Sequence, residues 1–269
     1  MKVVIFCGGL GVRMGEETQR IPKPMARIGN RPILWHIMRY YADWGHTEFI
    51  LCLGYKGDSI KEYFLTHNEA LTSDFVLEGG GPDARIELLT QDSVDWRITF
   101  VDTRLSATIG ERLKAVEPFI GEDNVFLATY GDGLTDAPLP KVIDAFRERN
   151  KLAMFLSVVP QFDAHLVSAE PDGTVTRIEH LSAFDVRMNG GFFVFEREIL
   201  DWIRPGDELV EETFARLLPN GEVVAYRYDG FFRPMDTIKD RQNLEALHES
   251  GNAPWIVTRR PASGAPAPG

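Results

Sequence analysis

Two strings near the N-terminus carry the residue types that hold phosphate. One is Gly8-Gly9-Leu10-Gly11-Val12-Arg13 and the other is Pro22-Lys23-Pro24. Glycines at a strand exit let backbone N–H groups approach an anion, and Arg and Lys add charge and directed donors. Backbone donors, a guanidinium and an ammonium together are what a polyphosphate needs. The three glycines alone would serve an ordinary tight turn equally well; Arg13 and Lys23 tip the reading to a phosphate site. Two common phosphate loops are excluded. No stretch reads Gly, four residues, then Gly-Lys-Ser/Thr. The dinucleotide string G-x-G-x-x-G fails because Met14 stands where its third glycine should be.

Two carboxylates complement the cations. Asp132 sits in Gly131-Asp132-Gly133, and Asp236 in Pro234-Met235-Asp236-Thr237 before a helical stretch. Each has a plainer use: Asp between glycines makes turns, and Asp before a helix makes an N-cap. A polyphosphate loop changes the balance. A nucleoside triphosphate arrives with Mg²⁺, and Mg²⁺ takes a few carboxylates plus phosphate oxygens and water. Asp132 and Asp236, from separate strand ends, can clamp it.

These residues need strand ends to stand on. Val3 to Cys7 is a short apolar run closed by glycines and predicts a buried strand. Arg31-Pro32 opens a helix with Pro at its first position; Leu34, Ile37, Met38, Tyr41 and Trp44 follow at helical spacing, and Gly45 ends it. Phe49 to Leu53 predicts a strand and Ser59 to Leu65 a helix. Strand, helix, strand, helix is the opening of a parallel sheet whose ligand site lies beyond the carboxyl ends of its strands. Phe75–Leu77 and Ile86–Leu89 predict a hairpin across Gly79-Gly80-Gly81-Pro82. Further strands are expected at Ile98–Asp102, Asn124–Ala128, Leu152–Val159, Val175–Glu179, Gly191–Phe195, Val223–Tyr228 and Phe231–Pro234. Helices are expected at Gly110–Val116, Pro140–Arg149, Glu198–Trp202 and Val210–Leu218, with a last one ending at His248.

Composition narrows the class. The chain has 269 residues, is 44% hydrophobic and carries a net charge of −11. That charge argues against nucleic acid and anionic membranes as partners, and makes the cationic N-terminal loop a local exception. No run is long enough for a transmembrane helix, and no secretory leader is evident. Cys7 and Cys52 lie inside apolar runs and read as buried free thiols, which fits a reducing cytoplasm. No Zn-ligand spacing occurs, and His36 reads as helix packing. From Thr258 onward the chain is Arg, Pro, Ala, Ser and Gly and reads as a disordered tail, leaving residues 1–257 as one domain.

The two N-terminal strings, with Pro32 to Met38, Gly54-Tyr55-Lys56-Gly57, Tyr130 to Gly133, Asn189 to Phe193 and Pro234 to Thr237, resemble the sugar-1-phosphate nucleotidylyltransferases nearly from end to end. The resemblance implies an α/β fold, a Rossmann-like three-layer sandwich with a mostly parallel central sheet. It implies attack of a sugar 1-phosphate on the α-phosphorus of a triphosphate, with release of pyrophosphate, Mg²⁺ held by Asp132 and Asp236, and a homo-oligomer. Arg13, Lys23, Asp132 and Asp236 would be catalytic. Gly8, Gly9, Gly11, Val12, Arg13, Lys23, Glu111, Arg112, Gly131 and Asp132 would face the nucleotide. Tyr130, Glu179, Asn189, Gly190 and Gly191 would face the sugar.

Three departures bear on the substrates. Val12 replaces the family's Thr. His180 stands where the family has the Lys that grips the sugar phosphate, leaving Arg177 or Arg187 as replacements. Glu111 stands where the family has Gly, and a carboxylate accepts from cytosine N4 or bidentately from guanine. Overall likeness implies CTP and glucose 1-phosphate, Glu111 allows GTP, and Glu111 as a solvated helix residue is an equal alternative. A glycosyltransferase consuming a nucleotide-sugar is a more distant reading: Asp132 to Asp136 lacks the Asp-x-Asp spacing, and Arg13 and Lys23 would be left without a purpose.

Overall fold

The computed structural model describes residues 1–9, 21–81, 84–89, 95–160 and 164–256, apart from the side chain of Ser182. The strands are β1 Val3–Phe6, β2 Arg27–Ile28, β3 Arg31–Pro32, β4 Glu48–Leu53, β5 Phe75–Glu78, β6 Arg85–Leu88, β7 Arg97–Asp102 and β8 Val125–Tyr130. They continue as β9 Gly133–Thr135, β10 Ala153–Val158, β11 His165–Ala169, β12 Val175–His180, β13 Met188–Asn189, β14 Phe193–Glu196, β15 Val223–Tyr228 and β16 Phe232–Pro234. The longer helices are α1 Ile33–Asp43, α2 Gly57–Thr66, α3 Ile109–Ala115, α4 Leu139–Arg149 and α5 Ile238–Glu249.

One sheet runs β13-β10-β14-β8-β1-β4-β7, with β15 parallel along β10. Around β1 the pairing is parallel on both sides, to β8 and β4, and β7 extends it. β14 runs antiparallel to both β8 and β10. Alternation along β1 sets the layers: Val3 and Ile5 point to one core, Val4 and Phe6 to the other. The first core takes Ile33, Leu34 and Ile37 of α1, Val142, Ile143 and Phe146 of α4, and Leu244 of α5. The second takes Leu113 of α3 with Ile199, Leu200, Leu209 and Phe214. Both faces of β1 are covered, which is why its residues form an uninterrupted apolar run. This is the expected three-layer sandwich with a mostly parallel sheet.

Several local expectations shift. Pro32 is the N-cap of α1, not its first helical residue, and Trp44 is the C-cap before Gly45 at φ +87°. Arg197–Trp202 is a 3₁₀ helix, and Leu209–Phe214 is a π-helical segment that passes into Ala215–Leu217. Four short pieces escaped sequence reading: the β2–β3 pair, β9, β11 and β13. Apart from the five-residue β11, these pieces have two or three residues and hold too little of the period-2 pattern to be seen. The Thr258 tail lies outside the described residues.

Candidate active site

The site is assembled at the carboxyl ends of β1, β4, β7 and β8. Cys7 donates to the Cys52 carbonyl at 2.9 Å and Gly131 to the Phe6 carbonyl at 3.1 Å, so the exits of β4, β1 and β8 are tied to one another. Beneath them lies Arg112 of α3, 3% exposed. Its guanidinium donates to the carbonyls of Leu53 (3.1 Å), Gly8 (3.3 Å) and Leu105 (3.2 Å) and to Thr103 Oγ1 (2.6 Å). Burial pulls its pKa down, with the neighbouring thiols and acids opposing. A Cβ on Gly8 would stand 2.1 Å from Arg112 Nη1, and one on Gly54 2.9 Å from the same atom. The two glycines are therefore needed to let a cation thread under the first loop. Arg112 lies beneath Gly8, and its Nη1 and Nη2 groups bond to the fold. In this geometry Arg112 supports the strand exits.

Lys23 begins a 3₁₀ turn, Lys23–Met25, framed by Pro22 and Pro24. A Cβ on Gly131 would sit 3.1 Å from Pro24 Cγ and 3.0 Å from the Phe6 carbonyl, so glycine here lets the Lys23 turn close on the Asp132 turn. Asp132 and Asp236 are 104 positions apart in sequence but are brought together by a small antiparallel ribbon. In it β9 pairs β16, Gly133 with Pro234 and Leu134 with Arg233, and Met235 donates to the Asp132 carbonyl at 2.8 Å. The N-cap of α5 is Thr237, in a capping box with Asp240, so the capping alternative for Asp236 does not hold. Its carboxylate is turned to Lys23 instead.

Lys23 Nζ lies 2.6 Å from Asp132 Oδ2 and 2.6 Å from Asp236 Oδ1. Burial would lower the Lys23 pKa, but the two aspartates outweigh it and hold the ammonium above its ordinary value. The three predicted catalytic residues that the structure describes thus meet at one point. Arg13, with Gly11 and Val12, falls in residues 10–20, outside the described residues; Gly9 is exposed at their edge.

The donor set fits a hard divalent cation: two carboxylate oxygens already converge on a single cationic centre, leaving the remaining positions to phosphate oxygens and water. Among the described residues no group of three or more acidic, His or Cys side chains gathers into a fuller cage.

Glu111 is built into the local fold. It is the third residue of the α3 capping box with Thr108: Thr108 N donates to its Oε2 at 3.0 Å and Gly206 N to its Oε1 at 3.2 Å. The Gly-to-Glu departure therefore adds a cap and a tie to the segment after Trp202.

Across the sheet, Asn189 Oδ1 accepts from Gly191 N at 2.9 Å, and Gly190 N donates to the Leu156 carbonyl at 2.8 Å. Gly191 holds φ +71°, and a Cβ on it would meet the Tyr130 ring at 2.8 Å. Phe192 follows at φ 48°, in a region that L side chains rarely adopt, and packs against Tyr40 and Tyr41. Burial and then Asp132 push the Tyr130 hydroxyl up to about 12, with Asn189 opposing, so Tyr130 adjoins both carboxylate and amide. Glu179 is elsewhere, on the two-stranded ribbon β11–β12, paired with Arg177 at 2.6 Å. Arg187 is committed to the carbonyls of Ser157 and Tyr228 and to Asp229, and Arg177 also stacks on Phe184. His180 faces His165, rings 5.3 Å apart. Thr103 and Gly54, which complete the Arg112 seat, were missed as site residues; Gly54 had a signal in the Gly54-Tyr55-Lys56-Gly57 string, and Thr103 lies outside it.

A mixed sheet of this order, with cations and carboxylates gathered at its strand exits, defines a protein of the nucleotide-sugar transferase fold. A solved UDP-glucose pyrophosphorylase from Acinetobacter baumanii superposes with a TM-score of 0.65 at 18% identity, over 94% of this chain and 95% of that one. No protein-family model matches the chain. Curated relatives do: glucose-1-phosphate cytidylyltransferase of Salmonella typhi is 40% identical over 95% of this chain and 98% of its own. The probable glucose-1-phosphate cytidylyltransferase of Bacillus subtilis (strain 168) is 37% identical over 96% and 100%. The chain belongs to the sugar-1-phosphate nucleotidylyltransferase family. It is a nucleotidyltransferase, and enzymes of this kind generally work with a divalent cation.

Proposed function

We propose that the chain joins CTP and glucose 1-phosphate to give CDP-glucose and pyrophosphate, with Mg²⁺ as the cation. The observation that carries the chemistry is the meeting of Lys23 with Asp132 and Asp236 at the strand exits. The choice of CTP and glucose 1-phosphate comes from the relatives at 37–40% identity over nearly the whole chain. The GTP alternative rested on Glu111, whose carboxylate is engaged by Thr108 and Gly206.

A phosphate oxygen of the sugar 1-phosphate attacks the α-phosphorus in line; the bond to the bridging oxygen of the β-phosphate breaks, and pyrophosphate leaves with that electron pair. No proton transfer and no covalent enzyme intermediate are needed, so the task is positioning and charge neutralisation. Lys23 supplies an ammonium to the α-phosphate as five-coordinate charge builds, and Arg13 holds the leaving pyrophosphate. Asp132 and Asp236 would hold Mg²⁺, which supplies neutralisation of phosphate charge when bound. Gly8 and Gly9 present backbone at the exit of β1, with Arg112 fixing the Gly8 carbonyl from below. Tyr130, Asn189, Gly190 and Gly191 form the floor for the sugar, and Glu179 accepts from a hydroxyl. Residues 1–257 act as one catalytic unit, as a homo-oligomer in the cytoplasm.

Pyrophosphate release, measured for each nucleoside triphosphate against a panel of hexose 1-phosphates, tests this. CTP with glucose 1-phosphate is expected to give the highest kcat/KM. Nucleotide binding without turnover for any pair would sink the reading.

A further inference from the structure

The proposed reaction uses Lys23 on phosphate, yet the ammonium rests on the two carboxylates. Its side chain is 13% exposed, against 30% for Asp132 and 37% for Asp236. Pro22 and Pro24 fix the backbone on either side, and Gly131 lets that turn pack under Asp132. Among the described residues, the Lys23 ammonium stands where both carboxylates point, and offsets their mutual repulsion. A divalent cation would seek the same two oxygens. It cannot share the point with an ammonium 2.6 Å from each, because the cations repel. The ammonium is also tethered, which gives it an effective concentration on the order of mM or more at that point.

From this geometry we propose that Lys23 is an interlock. Its ammonium serves as the internal cation of the Asp132–Asp236 pair, and a divalent cation gains the carboxylates only with a triphosphate that draws the ammonium away. The four-carbon stem of Lys allows the exchange, and a triphosphate offers acceptors of higher charge than the carboxylates it replaces. One positive charge leaves the carboxylates for the phosphates, and a divalent cation takes its place bound to both. Metal and nucleotide then bind with positive coupling, each raising the affinity of the other by the same factor. The enzyme thereby favours the metal–nucleotide complex over metal alone. The inference rests on the reading of Asp132 and Asp236 as metal ligands.

Mn²⁺ is the probe, with free Mn²⁺ counted by electron paramagnetic resonance on the full chain. Without nucleotide, Lys23→Met is expected to bind Mn²⁺ at least about tenfold tighter than the wild type, since it removes the competing cation. With a CTP analogue blocked between the α- and β-phosphates, the wild type is expected to gain at least about tenfold in Mn²⁺ affinity, and Lys23→Met far less. Equal Mn²⁺ affinity in the two proteins without nucleotide overturns the interlock. A wild-type arm covers a Lys23→Met protein that does not fold: Mn²⁺ alone should leave Tm unchanged, while Mn²⁺ and the analogue together should raise it more than the analogue does. A full rise with Mn²⁺ alone overturns the proposal. Asp132→Asn separates the two layers. If it keeps analogue-dependent Mn²⁺ binding, the metal reading falls and the interlock with it. If it loses that binding while Lys23→Met equals the wild type, only the interlock falls.

Discussion

Asp132 and Glu179 are both carboxylates assigned to the site, and the fold holds them in opposite ways. Asp132 ends a central strand whose exit is bonded to β1, and its backbone carbonyl is bonded to Met235. Its side chain meets a Lys that is itself packed in place. Glu179 sits on an isolated two-stranded ribbon whose Leu166, Val167, Val175 and Ile178 are all exposed, and its partner Arg177 is only two residues away. Such a ribbon is marginal alone, and an exposed pair contributes little. The difference separates reaction from recognition. In the proposed reading, the triphosphate residues stand on the parallel half of the sheet, and the sugar residues are spread over its antiparallel half and an outlying ribbon.

The largest effect should come from breaking the rigid side. Asp132→Asn keeps shape but halves the carboxylate charge, and should cost about 10³-fold or more in kcat with the far-ultraviolet circular dichroism intact. A kcat within tenfold of wild type would remove Asp132 from the chemistry. Next are the two glycines of one motif. Gly8→Ala drives a Cβ to within 2.1 Å of a buried guanidinium, whereas a Cβ on Gly9 meets nothing among the described residues within 4 Å. Urea unfolding should show Gly8→Ala destabilised by about 2–4 kcal/mol and Gly9→Ala by less than about 0.5 kcal/mol. Equal losses would mean that Arg112 is not the constraint.

The same contrast explains what could be read in the chain. Buried parallel strands are continuous apolar runs ended by glycine, so β1, β4 and β8 and the residues at their exits were legible. The convergence of Lys23, Asp132 and Asp236 was legible only through the resemblance, because the β9–β16 ribbon that creates it has three-residue strands. The structural roles of Arg112 and Glu111 were hard to read for a different reason. Sequence shows a charge but not which side of a loop it enters from, and an N3 Glu after Thr108 is a capping box first. The Thr108-x-x-Glu111 spacing held that signal.

A third effect tests the helix that backs the rigid half. His36 of α1 is 3% exposed, with Nε2 on the Ile28 carbonyl at 3.0 Å and Nδ1 accepting from Trp255. Burial, opposed by the Ile28 bond, lowers its pKa to about 4. The unfolded chain takes up this proton near pH 6.5 and the folded chain only near 4, so stability falls as pH drops through that window and is whole above it. The loss should reach roughly 3 kcal/mol in urea unfolding by pH 4. His46 shifts the same way, so the readout is the difference between wild type and His36→Gln, whose pH slope should be shallower.

The smallest effect belongs to the ribbon, and it is the one that can break the comparison. Glu179→Gln removes a charge whose nearest partner is the exposed Arg177, so unfolding free energy should move by less than about 0.5 kcal/mol. If Glu179 accepts from a sugar hydroxyl, KM for the sugar 1-phosphate should rise by about tenfold at unchanged KM for the nucleotide, since one hydrogen bond to a charged group contributes about 1.5 kcal/mol. A kcat loss as large as that of Asp132→Asn would show that the ribbon folds over the reacting phosphates and that recognition and reaction share one wall. An unchanged KM for both substrates would take Glu179 out of the site and leave the sugar to Tyr130 and Asn189.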